Sequence, residues 1–461
     1  MAFAPFAKKD KSESQEAKPR REPLVRRTIN AWWERLFALL FGRSALADQA
    51  SMYSAGRTGH DYLWNTLGQT LWGAMLPALT VIATQLAGAE DAGRFNLAFT
   101  IATLLLFLGN YGVRTYQVSD ISEQESFDAY QIHRVMTCGL MLAAGAAYCA
   151  LRSYDADMTL IAAGAFGYRA VDAFADVYEG RLQQMDKLYL SGISVALRVV
   201  IPLSVFTALL LFTDSLPFAS IGLAAAELVV MLLVSLPLAL LETPMSRPWE
   251  MLEVRELFRE CFPAFAAMFL FNLIETMPKF AMEGVLPYED QVYFSAIYFP
   301  AQMALMIVGF VYKPQLVRLA SLWQDGTKRG AFDLVVVAMM AACVVVSLGL
   351  LLFMDTVGIP LSGILYNTDF ERFRTAQNLM LVAGGLAAAI DFLFQILTVL
   401  REQAAAMRLY VLAFVVVTAA SIILVRTTGF MGAVYAYLAV MVVLFVLLVL
   451  QYVMVRIKSR A

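Results

Sequence analysis

The sequence predicts an all-α polytopic membrane protein, with twelve transmembrane helices in two six-helix bundles around a central cavity and both termini cytoplasmic. Three observations predict it. Hydrophobic residues make up 60% of the 461 and charged residues only 16%, against roughly 45–50% and 25% in soluble domains; the mean hydropathy is +0.66. The charges are gathered into short polar stretches between apolar runs of about 20 residues, each long enough to cross a bilayer. Finally, Lys and Arg crowd onto alternate connecting stretches, as orientation in a membrane requires.

The first 60 residues differ in kind from the rest. The stretch "KKDKSESQEAKPRREPLVRR" is too polar to bury a core and is expected to be disordered; it lacks the apolar run of a signal peptide. After it, Ile29, Trp32, Trp33, Leu36, Phe37 and Leu40 recur with helical spacing, which predicts an amphipathic helix near 28–41 lying in the cytoplasmic membrane interface. The same stripe also suits a helix packed on the protein's own cytoplasmic surface.

Twelve spans are expected near 63–86, 94–112, 134–151, 158–180, 189–212, 217–241, 260–283, 291–312, 333–354, 375–399, 409–426 and 430–454. With the amino terminus inside, the cytoplasmic stretches carry Arg114, Arg134, Arg181, Lys187, Arg247, Arg255, Arg259, Lys313, Arg318, Lys328, Arg329, Arg401, Arg408, Arg456, Lys458 and Arg460. The outer stretches carry only Arg94, Arg152, Arg372, Arg374 and Arg426, a bias of 16 to 5 that fixes the expected orientation. The long stretch after the sixth span divides the chain into halves, 61–246 and 247–461. A weak internal echo supports the division: "FNLAFTIA" from Phe95 and "FSAIYFPA" from Phe294 are each followed, nineteen positions on, by a base, Arg114 or Lys313. Two matching bundles would enclose a cavity at their interface.

Several chemistries are disfavoured. Four cysteines (Cys138, Cys149, Cys261, Cys343) are scattered without paired spacing, and the two histidines, His60 and His133, fall in polar flanks of spans. No GxGxxG, Walker, HExxH or GxSxG pattern is present, which argues against a membrane enzyme or an ATP-driven pump. No cofactor, metal or nucleic-acid partner is expected.

Ionisable residues within spans are costly and therefore informative. Arg169, Asp172, Asp176 and Glu179 lie at i, i+3, i+7 and i+10 on span four, one stripe of one helix. Arg198 on span five comes to a depth near Asp172, so a cross-helix ion pair is geometrically easy. Glu227, Glu275, Lys279 and Asp391 complete the set. The acids can neutralise neighbouring bases or bind a coupling proton or sodium ion: Asp172, Asp176, Glu275 and Asp391 are the candidates. The bases Arg169, Arg198 and Lys279 suit an anionic headgroup at an interface shared by the halves, although Lys279 can also snorkel outward or pair with Glu275 at i+4. Amides in the same zone, Asn65 and Gln69 on span one, Asn272 on span seven and Gln395 on span ten, can bind sugar hydroxyls or glue helices together.

These residues sit in stretches that resemble a known family. "NTLGQTLWGAMLPALTVIATQLAGAEDAGRFNLAFTIATLLLFLGNYGVRTYQVSDI" resembles the opening of Wzx-like polysaccharide-biosynthesis flippases of the multidrug/oligosaccharidyl-lipid/polysaccharide exporter superfamily. "ADVYEGRLQQMDKL", with Gly180, Leu182 and Gln183, resembles the segment after their fourth span. "MPKFAMEGVLPYEDQVYFSAIYFPAQ", with Pro278 and Lys279, resembles their passage from span seven to eight, and "GFMGAVYAYLAVMVVLFVLL" their last span. Nearly all of the chain after residue 62 is covered. The resemblance implies two bundles in a V around a cationic cavity, alternating between inward-open and outward-open states. It implies transfer of an undecaprenyl-diphosphate-linked sugar or oligosaccharide to the outer leaflet of a bacterial cytoplasmic membrane, with a polysaccharide polymerase or glycosyltransferases as partners beside the membrane lipids. Lys279 carries over by motif, and Arg114 falls in the matched block as a receiver of the diphosphate. Many members have Arg where this chain has Gln85, which weakens an outer basic gate. Two other readings are a cation-coupled multidrug antiporter of the same superfamily and a non-transporting scaffold of a capsule-assembly complex.

Overall fold

The computed structural model describes residues 57–120, 123–312, 319, 322–323, 329–400 and 402–458. The polar tail and the amphipathic helix expected near 28–41 lie outside them, as do Lys313, Arg318, Lys328, Arg401 and Arg460. Among the described residues there is no strand. The helices are α1 (Arg57–Ala87), α2 (Ala89–Asn110), the short α3 (Val113–Ser119), α4 (Phe127–Arg152), α5 (Ala156–Gln184), α6 (Leu188–Thr213), α7 (Leu216–Val230) and α8 (Leu236–Glu242). After a linker at 243–250 come α9 (Met251–Met282), α10 (Glu289–Tyr312), α11 (Arg329–Phe353), α12 (Ile359–Leu365), α13 (Arg374–Val399), α14 (Gln403–Thr428) and α15 (Phe430–Lys458).

Among the described residues, eleven stretches are long and apolar enough to cross a membrane. With α5, which falls outside that set and carries the charged stripe of Arg169, Asp172, Asp176 and Glu179, they match the twelve expected spans. The chain is a multi-pass membrane protein. Local sequence explains the helix ends and irregularities. Ser126 and Asp155 cap α4 and α5, their side chains accepting the amides of Ala129 and Met158 at 3.2 and 2.7 Å. A widened turn, Met231–Ser235, interrupts the expected span 217–241 just ahead of Pro237, and another, Met354–Gly358 ahead of Pro360, carries the helix of the expected span 333–354 on to Leu365. A proline ring collides with the carbonyl four residues back, and an extra residue in the turn moves that carbonyl aside.

Helices α2, α4, α6 and α7 pack around α5 in the first half, and α9, α10, α11 and α14 pack around α13 and α15 in the second. The halves meet along a seam where α2 lies against α9 and α10, and α4 lies against α9. At its outer end the backbones touch: a Cβ on Gly93 would come within 1.9 Å of the Tyr288 carbonyl. The two echoing stretches meet there, and Ser295 Oγ donates to Asn96 Oδ1 at 2.6 Å. Tyr148 and Tyr154 of the first half donate to Glu283 of the second at 2.5 and 2.6 Å, and Arg152 pairs with the same carboxylate at 2.9 Å. Gln85 donates to the carbonyls of Ile364 and Leu365 at 3.0 and 2.7 Å, tying α1 to α12.

The contact between α1 and α6 is equally close, because Gly192 lies against the Trp64 carbonyl, 2.4 Å from where its Cβ would be, and Gly68 lies against the Gly192 carbonyl at 2.6 Å. Small residues at such a crossing let membrane helices pack backbone to backbone. Gly192→Leu should part α1 from α6 and destabilise the protein by about 1–3 kcal/mol, read as a lower midpoint of thermal unfolding in detergent. An unchanged midpoint would mean that the two helices do not touch.

Candidate functional site

The charged stripe on α5 is buried and faces its neighbours. Arg169, Asp172 and Glu179 are at most 4% exposed. Arg198, from α6, is the hub: its guanidinium donates to Asp172 Oδ1 at 2.8 Å, to Glu179 Oε1 at 2.8 Å and to Glu227 Oε1, on α7, at 2.6 Å. Arg169 Nη1 donates to the other oxygen of Asp172 at 2.9 Å, which also receives Trp72 Nε1 from α1 at 2.9 Å. The Arg169 plane is enclosed by the rings of Trp72, Phe99 and Tyr168, with centroids 4.6–5.5 Å away. Five helices, α1, α2, α5, α6 and α7, are thereby tied to one cluster.

A second cluster lies towards the end of α5. Asp176 accepts from Arg114 Nη1 at 2.7 Å and from Arg134 Nη2 at 2.9 Å. Arg114 also reaches Gln183 Oε1 at 2.9 Å, and Arg134 reaches the Gly109 carbonyl at 2.9 Å and Asn110 Oδ1 at 2.7 Å. Between the clusters is a polar cavity of about 180 Å³ lined by Gln69, Trp72, Asn110, Asp172, Asp176, Glu179, Val195 and Arg198. Over both clusters four guanidiniums face four carboxylates.

This arrangement differs from the expected facing of Arg114, Arg169 and Arg198 onto a chamber shared by the two halves. All three lie inside the first half, each bound to a carboxylate of that half. The physical reason is local supply: α5 provides three acids on the stripe that carries Arg169, and Glu227 provides a fourth. Arg134 and His133, expected in a polar flank, are fully buried because α4 begins at Phe127, about two turns before the expected span.

Lys279 is the expected base that does lie at the seam. It is 5% exposed and donates from Nζ to Thr100 Oγ1 and Asn96 Oδ1 of α2, at 3.0 and 3.3 Å, and to Ser295 Oγ of α10 at 2.6 Å. It neither snorkels outward nor pairs with Glu275. Among the described residues no carboxylate forms an ion pair with it. Glu275, one turn back on α9, turns into the second half, where Gln302 Nε2 and Tyr437 Oη donate to it at 3.0 and 3.1 Å. Asp391, on α13, accepts from Tyr312 Oη. Among the described residues these two carboxylates are thus held by neutral donors, unlike the acids of the first half. The amides are not brought together: Asn65 lies beside Gly192, Asn272 donates to the Met268 carbonyl of its own helix at 2.9 Å, and Gln395 sits half-buried one turn from Asp391.

Sequence reasoning noticed Glu227 and Arg134 without giving them a site, and missed Trp72, Thr100, Tyr312 and Tyr437. Glu227 had a signal, an acid alone in the apolar run "AAAELVVMLLV". The others had none, because a Thr, Tyr or Trp is ordinary in any span.

No protein-family model matches the sequence, and no curated protein does. Solved structures do match. A multidrug resistance MATE family transporter of the MOP superfamily in its inward-facing conformation superposes with a TM-score of 0.62 at 13% identity, covering 84% of this chain and 94% of that one. A MOP superfamily transporter from Pyrococcus furiosus, described as having a binding pocket of reversed polarity, gives 0.56 at 13% identity, over 87% and 95%. A eukaryotic MATE transporter gives 0.54 at 13% identity, over 88% and 98%. These likenesses establish the architecture: the chain has the two-lobed fold of MOP superfamily transporters.

Proposed function

We propose that the protein is an alternating-access transporter of the bacterial cytoplasmic membrane that moves an undecaprenyl-diphosphate-linked sugar or oligosaccharide from the cytoplasmic to the outer leaflet, for cell-surface polysaccharide synthesis. The observation that carries this reading is Lys279. Its donors are satisfied by Asn96, Thr100 and Ser295, yet among the described residues its charge has no counter-ion, and a buried cation without one is held at a cost. It sits where the halves must part for the outer side to open, so an arriving phosphate would find a ready partner. Arg114, Arg169 and Arg198 act in this scheme as the frame of the first half rather than as the anion site. Glu275 and Asp391 are the coupling groups, since among the described residues no base pairs with them to compete with a proton or sodium ion. Polysaccharide polymerases or glycosyltransferases are the natural partners, supplying and consuming the carried glycan.

A second reading, a cation-coupled multidrug antiporter, is favoured by the acidic lining of the first-half cavity, Asp172, Asp176 and Glu179. Reconstituted vesicles separate the two. With a diphosphate-linked sugar as cargo, Lys279→Gln should slow initial flipping by about tenfold or more, the value of a lost charge-assisted bond, while expression and unfolding midpoint hold. No flipping by the unaltered protein, together with cation-driven drug export, would give the field to the second reading.

Two further outcomes follow from the division of labour between the halves. Glu275→Gln and Asp391→Asn should each remove the acceleration of flipping by a proton or sodium gradient, measured against vesicles without one. Arg198→Ala strips Glu179 and Glu227 of their guanidinium and leaves Asp172 to Arg169 and Trp72; it should cost about 3–5 kcal/mol, appearing as a loss of folded protein rather than as a slower rate in a stable one.

A further inference from the structure

The cytoplasmic end of the seam is built from acids of both halves. Asp120 and Glu125 precede α4 in the first half, and Glu253 and Glu256 lie on the first turns of α9 in the second. Glu253 Oε2 accepts from Ser126 N and Oγ at 3.2 and 2.6 Å, so the residue that caps α4 is itself held by the other half. The linker adds Ser246, whose Oγ accepts the Phe127 amide at 2.7 Å, and Arg247, which pairs with Glu253 at 2.5 Å. Glu125 is buried and hydrogen-bonded to Glu256. Two carboxyl groups can share a hydrogen bond only while one of them carries a proton.

Other charged or titratable groups around Glu125 do not neutralise it. Asp120 accepts from the amides of Gln124 and Glu125 and from Tyr130 Oη of α4, at 2.8, 3.0 and 3.3 Å. Tyr116 of α3 stands close by and is neutral at ordinary pH. Arg247 is committed to Glu253, and Arg181 of α5 pairs with Glu123 at 3.2 Å. Deeper in the seam, His133 is fully buried, its ring 4.1 Å from that of Phe258 on α9, and neither ring nitrogen has a hydrogen-bond partner among the described residues.

We propose that the cytoplasmic closure of α4 against α9 is a proton-operated latch, shut while Glu125 and Glu256 share a proton and released when that proton leaves for a neutral or alkaline cytoplasm. The direction follows from the two affinities. With the seam open, Glu125 is an ordinary carboxyl near 4.5; with it closed, burial first, and then the carboxylates of Glu256 and Glu253, push it up to about 7. Below the lower value both forms hold the proton and pH has no effect. Between the two values only the closed form keeps it, so closure weakens progressively as the pH rises. Above the upper value both forms are ionised and the closed seam bears the full repulsion. Each unit by which the two affinities differ is a tenfold change in the ratio of closed to open. This latch does not depend on what cargo is carried.

The test uses the full chain in lipid nanodiscs. Hydrogen–deuterium exchange of the segments around 123–132 and 251–258, with labelling times scaled for intrinsic rates, should show protection falling on the order of tenfold between about pH 6 and pH 8. Glu125→Gln, which keeps the hydrogen bond without the titration, should stay protected throughout. Only two histidines occur in the chain, so selective imidazole labelling in a His60→Asn background reports on His133: its ring signal should be unresponsive to pH in Glu125→Gln and become responsive in the unaltered protein as the latch releases. Protection independent of pH in the unaltered protein, or Glu125→Gln losing protection in step with it, would overturn the proposal. Should Glu125→Gln fail to fold, Glu256→Gln provides the same comparison, with the pH response expected to be weakened and an undiminished response counting against the latch.

Discussion

A charge placed deep among membrane-spanning helices must be matched where it stands, because no water is available to screen it. In this protein that constraint is met at Arg198, whose single guanidinium reaches carboxylates on α5 and α7 from its own position on α6. The rest of the first half is arranged around the match. Asp172 shares its second oxygen with Arg169 and with the α1 indole, and Asp176 gathers Arg114 and Arg134 from the helices on the other side. Such pairs add little to net stability compared with well-packed apolar residues, but removing one partner is severe, so they restrict which arrangements of the helices are tolerable.

The second half follows a different rule. Two carboxylates within its spans, Glu275 and the half-buried Asp391, are held by tyrosine hydroxyls and an amide, and such donors can serve both the neutral acid and its ion with small rotations. One half is thus internally neutralised and geometrically fixed, while the other keeps groups able to gain or lose a cation. Between them, at the seam, stands an ammonium surrounded by neutral oxygens. A transporter that changes shape with its ionic load needs this kind of inequality: a rigid reference body, a responsive body, and a contact that is strong without being locked by opposite charge.

The number and order of the spans were legible in the sequence because hydropathy has a length scale, the bilayer, that is independent of partners. The stripe on α5 was legible for a similar reason, since helical spacing alone puts residues 169, 172, 176 and 179 on one side, and the depth of Arg198 follows from counting. What could not be read was which side of each charge a third helix would approach. Glu227 is one acid in an apolar run, and only tertiary packing brings it to Arg198. Lys279 and Glu275, four residues apart, looked like partners, yet Lys279 is taken up at the seam by Asn96, Thr100 and Ser295 while Glu275 is held by Gln302 and Tyr437. Arg134 and His133 were misplaced by the shift of one helix boundary, which is the least certain quantity in any reading of hydropathy.

The meeting of Asn96 and Ser295 has a bearing on how the seam can change. These two residues hold the same place in the two echoing stretches, 199 positions apart, and they bond to each other directly. A contact between corresponding residues is isologous, the geometry of a twofold homodimer folded into one chain. At this point the two stretches approach as equivalents, so an altered side chain on either copy is felt first by its own twin.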